Sequence, residues 1–339
     1  MPRNFQSFAI ALLALLAGCT PNSKNDAASD GTGPLAELEK RILASPTNAS
    51  LFAERARYFE TLDSARLALN DWNRAIALDS MNVGYRIAIA DLYYRKVRID
   101  EAEKVLLKAV DLSEQETEAR LKLAELKLVK RDYKEAMELA NAALRIEPTN
   151  AQGYFLKGWI HMEVGDTLLA VSSFRTAVEQ DPAFHDAFVQ LGQLHAAVRD
   201  PLAVQYYSSA LEVRPQSIEA WYGLGMFAQE NGNDSLAIIC YARIKEITPN
   251  NPLAWYNTGY VLLEMRDQPL EARPEFDQAV RLSPSWPEAY YNRGFTYELT
   301  GQLDSALVDY RRALAIRPDM TLAAQGLGRL AAKGVQVRR

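Results

Sequence analysis

From residue 35 to residue 333 apolar side chains recur at intervals of three and four, in stretches separated by short polar turns. That spacing places them on one face of an α-helix, whereas strands need alternation of every second residue. The turns are themselves periodic. Prolines at 46, 148, 182, 215, 249, 284 and 318 each follow an apolar-rich stretch, Ser80 and Glu114 fill the two missing places, and successive spacings are 34, 34, 34, 34, 33, 34, 35 and 34. A fixed period of this size marks a repeat array, in which each unit buries its apolar face only against its neighbours.

Counting repeat positions from three residues after each anchor gives eight units beginning at Ala49, Val83, Thr117, Ala151, His185, Ile218, Pro252 and Pro287. The lengths of 33 and 35 require one deletion in repeat five and one insertion in repeat seven, expected between the two helices of the unit. Position 20 is then Ala68, Ala102, Ala136, Ala170, Ala203, Ala237, Ala272 and Ala306. Position 8 is Ala56, Ala90, Ala124, Gly158, Gly192, Gly225, Gly259 and Gly294, small wherever two helices must approach closely. Position 27 is alanine except for Ile244, and position 24 is a large apolar knob, Trp72, Leu106, Phe174, Tyr207, Tyr241, Phe276 or Tyr310, except for Ala140.

The pattern resembles tetratricopeptide repeats, most clearly at Trp221-x-x-Leu224-Gly225. The resemblance implies an all-α fold, an α-α superhelix of eight full repeats over 49–320, with a leading half-repeat at 35–48 and a capping helix at 321–333 before a disordered tail at 334–339. Arg86 and Arg120 at the usually aromatic position 4, and Pro274 inside a second helix, depart from the pattern.

The N-terminus carries a different signal. Arg3 is followed by the unbroken apolar stretch Phe8 to Leu16 and the small pair Ala17-Gly18 before Cys19. This is a signal-peptide layout. Leu16-Ala17-Gly18-Cys19 resembles the lipobox of bacterial lipoproteins, which implies cleavage of residues 1–18 and lipidation of Cys19; the alternative is an ordinary secretory signal or uncleaved anchor in which Cys19 is incidental. Residues 19–34, rich in Ser, Asn, Asp, Gly and Pro, are expected to be a flexible tether. By the sorting pattern of enterobacterial lipoproteins, Thr20 in place of Asp favours the outer membrane over the inner.

Composition narrows the function. A net charge of −5 gives no basic surface for nucleic acid. Only two cysteines, Cys19 and Cys240, and three histidines occur, so paired-cysteine zinc sites are excluded, and no HExxH, GxSxG or Walker sequence is present. His161 and His195 share position 11 of adjacent repeats, where a packing role is expected over metal bridging; Cys240 reads as a small buried hydrophobe, and Gly326-x-Gly328 lacks the strand that a glycine-rich phosphate loop needs. No enzymatic activity, cofactor or metal is expected.

In the family that the repeats resemble, the first helix of each unit lines a concave wall with positions 2, 5, 9, 12 and 13. Repeats one to three offer a mixed set at positions 5 and 9, Ala53, Arg57, Ile87, Asp91, Leu121 and Glu125. The C-terminal repeats offer Phe155, Trp159, Tyr222, Met226, Tyr256, Tyr260, Tyr291 and Phe295, interrupted at repeat five by Val189 and Gln193. Tyr and Trp dominate interface hot spots because they bury much area at small entropic cost, although position 5 tyrosines also serve as packing. Asn257 and Asn292 at position 6 are candidates to hold a peptide backbone. The lysine and asparagine clamp of chaperone-binding relatives has no counterpart. The expected function is therefore a membrane-anchored protein-protein interaction scaffold in the bacterial envelope, holding a peptide or protein partner in the groove and assisting assembly of an outer-membrane complex. The alternative is an adaptor that recruits a separate cell-wall hydrolase or protease.

Overall fold

The computed structural model describes residues 33–337. The expected signal peptide, the lipidated Cys19 and nearly all of the tether lie outside the described residues. The chain divides after Val97 into two compact units. The first contains α1 (Pro34–Ala44), α2 (Ala49–Thr61), α3 (Ala65–Leu78) and α4 (Val83–Arg95). The second runs through α5 (Ile99–Leu112), α6 (Thr117–Val129), α7 (Tyr133–Ile146), α8 (Ala151–Glu163), α9 (Thr167–Gln180), α10 (His185–Ala197), α11 (Leu202–Val213) and α12 (Ile218–Glu230). It continues with α13 (Asp234–Ile247), α14 (Pro252–Tyr260), α15 (Pro269–Leu282), α16 (Pro287–Leu299), α17 (Leu303–Ile316) and α18 (Thr321–Ala332). Even-numbered helices from α2 to α16 are the first helices (A) of the eight repeats and odd-numbered ones from α3 to α17 the second (B); the described residues are all-helical apart from turns.

Short polar side chains start the helices. Asn48, Asn82, Asn150 and Asn251 cap A helices by accepting from backbone N–H groups one or two residues inside, and Asp132, Asp166 and Asn233 do the same for B helices. Each A helix ends in a left-handed residue, Asp63, Val97, Arg131, Arg199 or Asp267 in repeats one, two, three, five and seven, and Gly165, Gly232 or Gly301 in the others. The core follows from the small residues: all eight position-20 alanines are 0% exposed, as are Ile244 and the alanines at position 27.

The glycines at position 8 explain how the aromatic knobs fit. A Cβ on Gly158 would stand 2.5 Å from the Phe174 ring, one on Gly192 2.7 Å from Tyr207, and one on Gly225 or Gly259 2.9 Å from Tyr241 or Phe276. Each ring therefore lies in the space of a missing side chain. Tyr207 is also closed off from the next repeat by Gly223, and Tyr310 by Gly326 of α18, where a Cβ would meet the ring at 2.5 and 2.6 Å respectively. Gly326 is thus a packing residue of the cap.

Repeat seven absorbs its extra residue inside a helix, which corrects the expectation that it lies in the inter-helix turn, whereas repeat five loses its residue where that turn enters α11. In repeat seven the extra residue makes a π-helical turn over Val261–Met265 that prolongs α14, closed by Arg266 N–H to Val261 O at 3.2 Å. In repeat five the missing residue tightens the entry from the turn into α11. Ala203 N–H there bonds Asp200 O, three residues back, whereas the equivalent Ala170 and Ala237 reach four residues back to Asp166 and Asn233. Arg120 replaces an aromatic at position 4 without losing its function: it donates to Ser113 O and Glu116 O at 3.2 and 2.7 Å, as Trp221 and Trp255 donate to Pro215 O and Pro249 O at 2.9 and 2.8 Å. Arg86 reaches Asn82 O at 3.3 Å. α15 continues through Pro274, whose missing N–H leaves only the carbonyl of Leu270, a residue on the exposed side, to be satisfied by solvent.

Candidate protein-binding face

Within the second unit, side chains of successive A helices meet directly. Gln193 of α10 donates to Glu219 of α12 at 3.0 Å, Asn257 of α14 reaches Met226 Sδ of α12 at 3.7 Å, and Asn292 of α16 donates to Tyr256 Oη of α14 at 2.9 Å. These contacts join α10, α12, α14 and α16 into one continuous face, and they fall on the positions singled out in the sequence.

The aromatic residues of that face grow outward from the buried knobs. In four repeats the position-5 ring rests on the position-24 ring of its own unit: Phe155 on Phe174 at 5.5 Å, Tyr222 on Tyr241 at 6.5 Å, Tyr256 on Phe276 at 5.7 Å and Tyr291 on Tyr310 at 5.7 Å between centroids. Position 9 adds Trp159, edge-on to Phe155 at 6.3 Å and Phe174 at 6.1 Å, and Phe295, stacked on Tyr291 at 6.2 Å. Phe155, Trp159, Tyr222, Met226, Tyr256, Tyr291 and Phe295 are all half-buried, so each is held by packing and keeps one side open. Tyr260, at 36%, is the exposed member. The indole N–H of Trp159 is buried and meets no acceptor.

Asn257 and Asn292 are 7% and 6% exposed, and the bonds to Met226 and Tyr256 use one amide proton each. They brace the tyrosine row from beneath; a bound backbone would have to use what remains of each amide. Burial first of all, and then the nearby charges of Glu288 and Glu264, push the Tyr256 phenol up to about 12, so it stays a neutral donor and acceptor at neutral pH.

Three features escaped sequence reasoning. Phe184 and Trp286 occupy the place before an A helix where Asn or Ser stands in five of the other six repeats, and each packs on the position-5 ring of the preceding repeat, at 4.8 Å from Phe155 and 4.3 Å from Tyr256. An aromatic residue at a capping position was the available signal. Position 12 supplies an acceptor to polar knobs: Glu60 to the Trp72 indole N–H at 2.7 Å, Gln229 to the Tyr241 hydroxyl at 2.9 Å, and Glu298 to the Tyr310 hydroxyl at 2.7 Å. Glu298 further accepts from Arg329 at 2.8 Å and Lys333 at 3.0 Å, fastening α18 to α16. Burial alone would raise this carboxyl, but the Arg329, Tyr310 and Lys333 donors outweigh it and hold it down to about 2. Lastly, repeats one and eight share a clasp between positions 7 and 23, with Arg55 forked onto Asp71 at 2.7 and 2.8 Å, and Arg293 onto Asp309 at 2.7 Å twice.

The remaining chemistry is structural. Cys240 is fully buried and burial pushes its thiol up to about 12, far from a thiolate at neutral pH. Burial lowers the His161 pKa, which favours the neutral ring, while His195 is tied to Asp200 at 2.8 Å and lies 5.0 Å from the Tyr206 ring. Among the described residues no group of three or more His, Cys, Asp or Glu is arranged to hold a metal, and no helix is long and apolar enough to cross a membrane.

Comparison with known proteins places these features in a family. Sequence profiles described as tetratricopeptide repeat match residues 54–117, 87–151, 151–184, 199–252 and 287–320, together more than half of the chain. Curated relatives include human Tetratricopeptide repeat protein 6, 25% identical over 56% of this chain and 36% of the relative. Another is Anaphase-promoting complex subunit 3 of Schizosaccharomyces pombe, 23% identical over 75% of this chain and 38% of the relative. The chain thus spans about a third of the length of these relatives. Among solved structures, the C-terminal part of a TPR repeat-containing protein from Cytophaga hutchinsonii superposes with a TM-score of 0.61 over 71% of this chain and 99% of that chain at 19% identity, a likeness of fold.

Proposed function

We propose, from the premise that this chain belongs to the tetratricopeptide-repeat family, that it is a lipid-anchored scaffold of the bacterial envelope that binds a protein or peptide partner on the A-helix face of repeats four to eight. Tetratricopeptide repeats are protein-protein interaction scaffolds. The observation that carries the choice of face is the row of position-5 rings in α8, α12, α14 and α16, each seated on a buried knob and open on its other side. Pre-ordered aromatic surface of this kind binds at low entropic cost because the rings have already lost their freedom in folding. The anchoring half of the reading rests on the sequence Leu16-Ala17-Gly18-Cys19. A diacylated and N-acylated cysteine would hold the chain on the membrane without a spanning helix, and Thr20 favours the outer membrane.

Capture from detergent-solubilised envelopes tests the binding half, comparing the unaltered chain with a Tyr222→Ala, Tyr260→Ala double variant. Both side chains reach the open face, and neither is braced by an asparagine from the next repeat as Tyr256 is. Specific partners that disappear from a variant of unchanged helicity support the face; an identical set of partners from both chains refutes it. Cys19→Ala tests the anchor separately, since it should release the protein from the membrane fraction without changing the partners captured.

A further inference from the structure

The charges around the aromatic row have a single sign. At positions 2, 5, 6, 9, 12 and 13 of repeats four to eight, the charged residues are Glu163, Asp186, Glu219, Glu230, Glu264, Glu288 and Glu298, with no lysine or arginine among them. Repeats one to three are mixed at the same positions, with Arg57, Arg95 and Lys122 beside Glu54, Glu60, Asp91, Glu118 and Glu125. Glu298 is consumed by the cap contacts, Glu288 pairs with Arg317 at 2.7 Å, and Glu219 accepts from Gln193 at 3.0 Å. Glu230 and Glu264 stand exposed at position 13 of adjacent repeats, flanking the row formed by Tyr222, Tyr256 and Tyr260. The charge of Glu230 reaches the phenol of Tyr241, the knob beneath Tyr222, and that of Glu264 reaches the phenol of Tyr256. Four cations of repeats seven and eight and of the cap are already engaged. Arg293 is forked onto Asp309 and bonded to Asp277 at 3.0 Å, Arg266 is paired with Asp234, and Arg329 and Lys333 bind Glu298.

Open aromatic faces flanked by unpaired carboxylates favour one kind of occupant. Ammonium and guanidinium groups are drawn to the faces of Tyr and Trp rings as well as to carboxylates, and an acidic or anionic partner would meet uncompensated repulsion. Resting on the scaffold reading above, we propose that the partner enters this face through an extended polypeptide segment bearing lysine or arginine side chains, seated against Tyr222 and Tyr260 and paired with Glu230 and Glu264. The uncharged stretch between them, with Met226 and Asn257, takes the apolar or backbone portion of the segment.

An array of random dodecapeptides probed with the full chain, the Glu230→Gln, Glu264→Gln variant and the Tyr222→Ala, Tyr260→Ala variant tests this. A Glu138→Gln, Glu179→Gln variant, altered on exposed sites of B helices α7 and α9, controls for net charge. The peptides retained should be enriched in Lys and Arg, bind at least five-fold more weakly to the Glu230/Glu264 variant than to the control, and weaken as salt rises. Retained peptides that are neutral or acidic, or basic ones weakened equally by the control, overturn the charge assignment while leaving the face intact if the tyrosine variant still abolishes retention. Peptides indifferent to the tyrosine variant, or none retained, overturn the face and the charge assignment together.

Discussion

Repeat one and repeats four to eight pack the same position-24 knob in different ways. In α2 and α3 position 8 is Ala56, position 5 is the buried Ala53, and the guanidinium of Arg57 lies over the fully buried Trp72 at 5.3 Å, so no position-5 ring of its own repeat covers the knob. In α8 through α17 glycine at position 8 lets the knob ring sink between the helices, and in four of the five repeats a second ring at position 5 covers it. A packing choice in the core thereby determines the chemistry of the surface. Where glycine stands at position 8, the covering residue is aromatic and half-exposed in four of the five repeats, and a face able to bind a partner results; where alanine stands there, in repeats one to three, the surface is charged and mixed. Repeat five marks the boundary of this rule, since Tyr207 is sunk against Gly192 and Gly223 but position 5 is the buried Val189.

The sharpest way to break this difference is to remove a sunken knob. Tyr310→Ala takes away a fully buried ring and the donor to Glu298, and should cost about 4 kcal/mol locally. Because repeat arrays do not melt as one cooperative block, the loss should be read by hydrogen exchange in α16 to α18 and spare the first repeats. Gly158→Ala pushes a methyl into the Phe174 ring and should cost about 2 kcal/mol. The reverse change, Ala56→Gly, meets no such clash and should cost about 1 kcal/mol through helix entropy. Equal costs at the two sites would remove the basis of the comparison.

Acid should separate the regions as well. Glu298 has a native pKa near 2 against an ordinary value of 4.5, so its stabilisation is present above pH 4.5 and lost as the pH falls towards 2. The anchoring of α18 should weaken over that window by about 2 kcal/mol, measured as exchange in α18 at stepped pH, and Glu298→Gln should remove the part that Glu298 carries. Asp309, which burial pushes up, acts with the opposite sign, so the difference between the two chains is the informative quantity. The smallest effect concerns the turns: Val97 is a β-branched residue at φ 58°, and Val97→Gly should stabilise by about 1 kcal/mol, whereas Gly165→Ala, at φ 84°, should destabilise by a similar amount in thermal melts.

Most of the fold was legible in the sequence because it is written in residue size. An alanine at every position 20 and a small residue at every position 8 require two helices in contact every 34 residues, and the structure buries all of those position-20 alanines completely. The two length changes were legible only as numbers. Val261 to Met265 are ordinary helix-compatible residues, and nothing in them tells a π turn from a longer loop. The site was legible as a set of positions but not as a set of contacts. That Tyr256 is clamped by Trp286 and Asn292 while Tyr260 remains open depends on neighbours 30 and 36 residues along the chain from Tyr256, and residue type alone carries no such information.

The central claim is that the face built on sunken knobs, and not the mixed face of repeat one, meets the partner. A photo-crosslinking phenylalanine analogue placed at Tyr260 in one chain and at Arg57 in another, irradiated in intact cells, measures this directly. The account predicts a discrete adduct from position 260 and none of comparable yield from position 57; adducts from position 57 alone, or equal adducts from both, would contradict it.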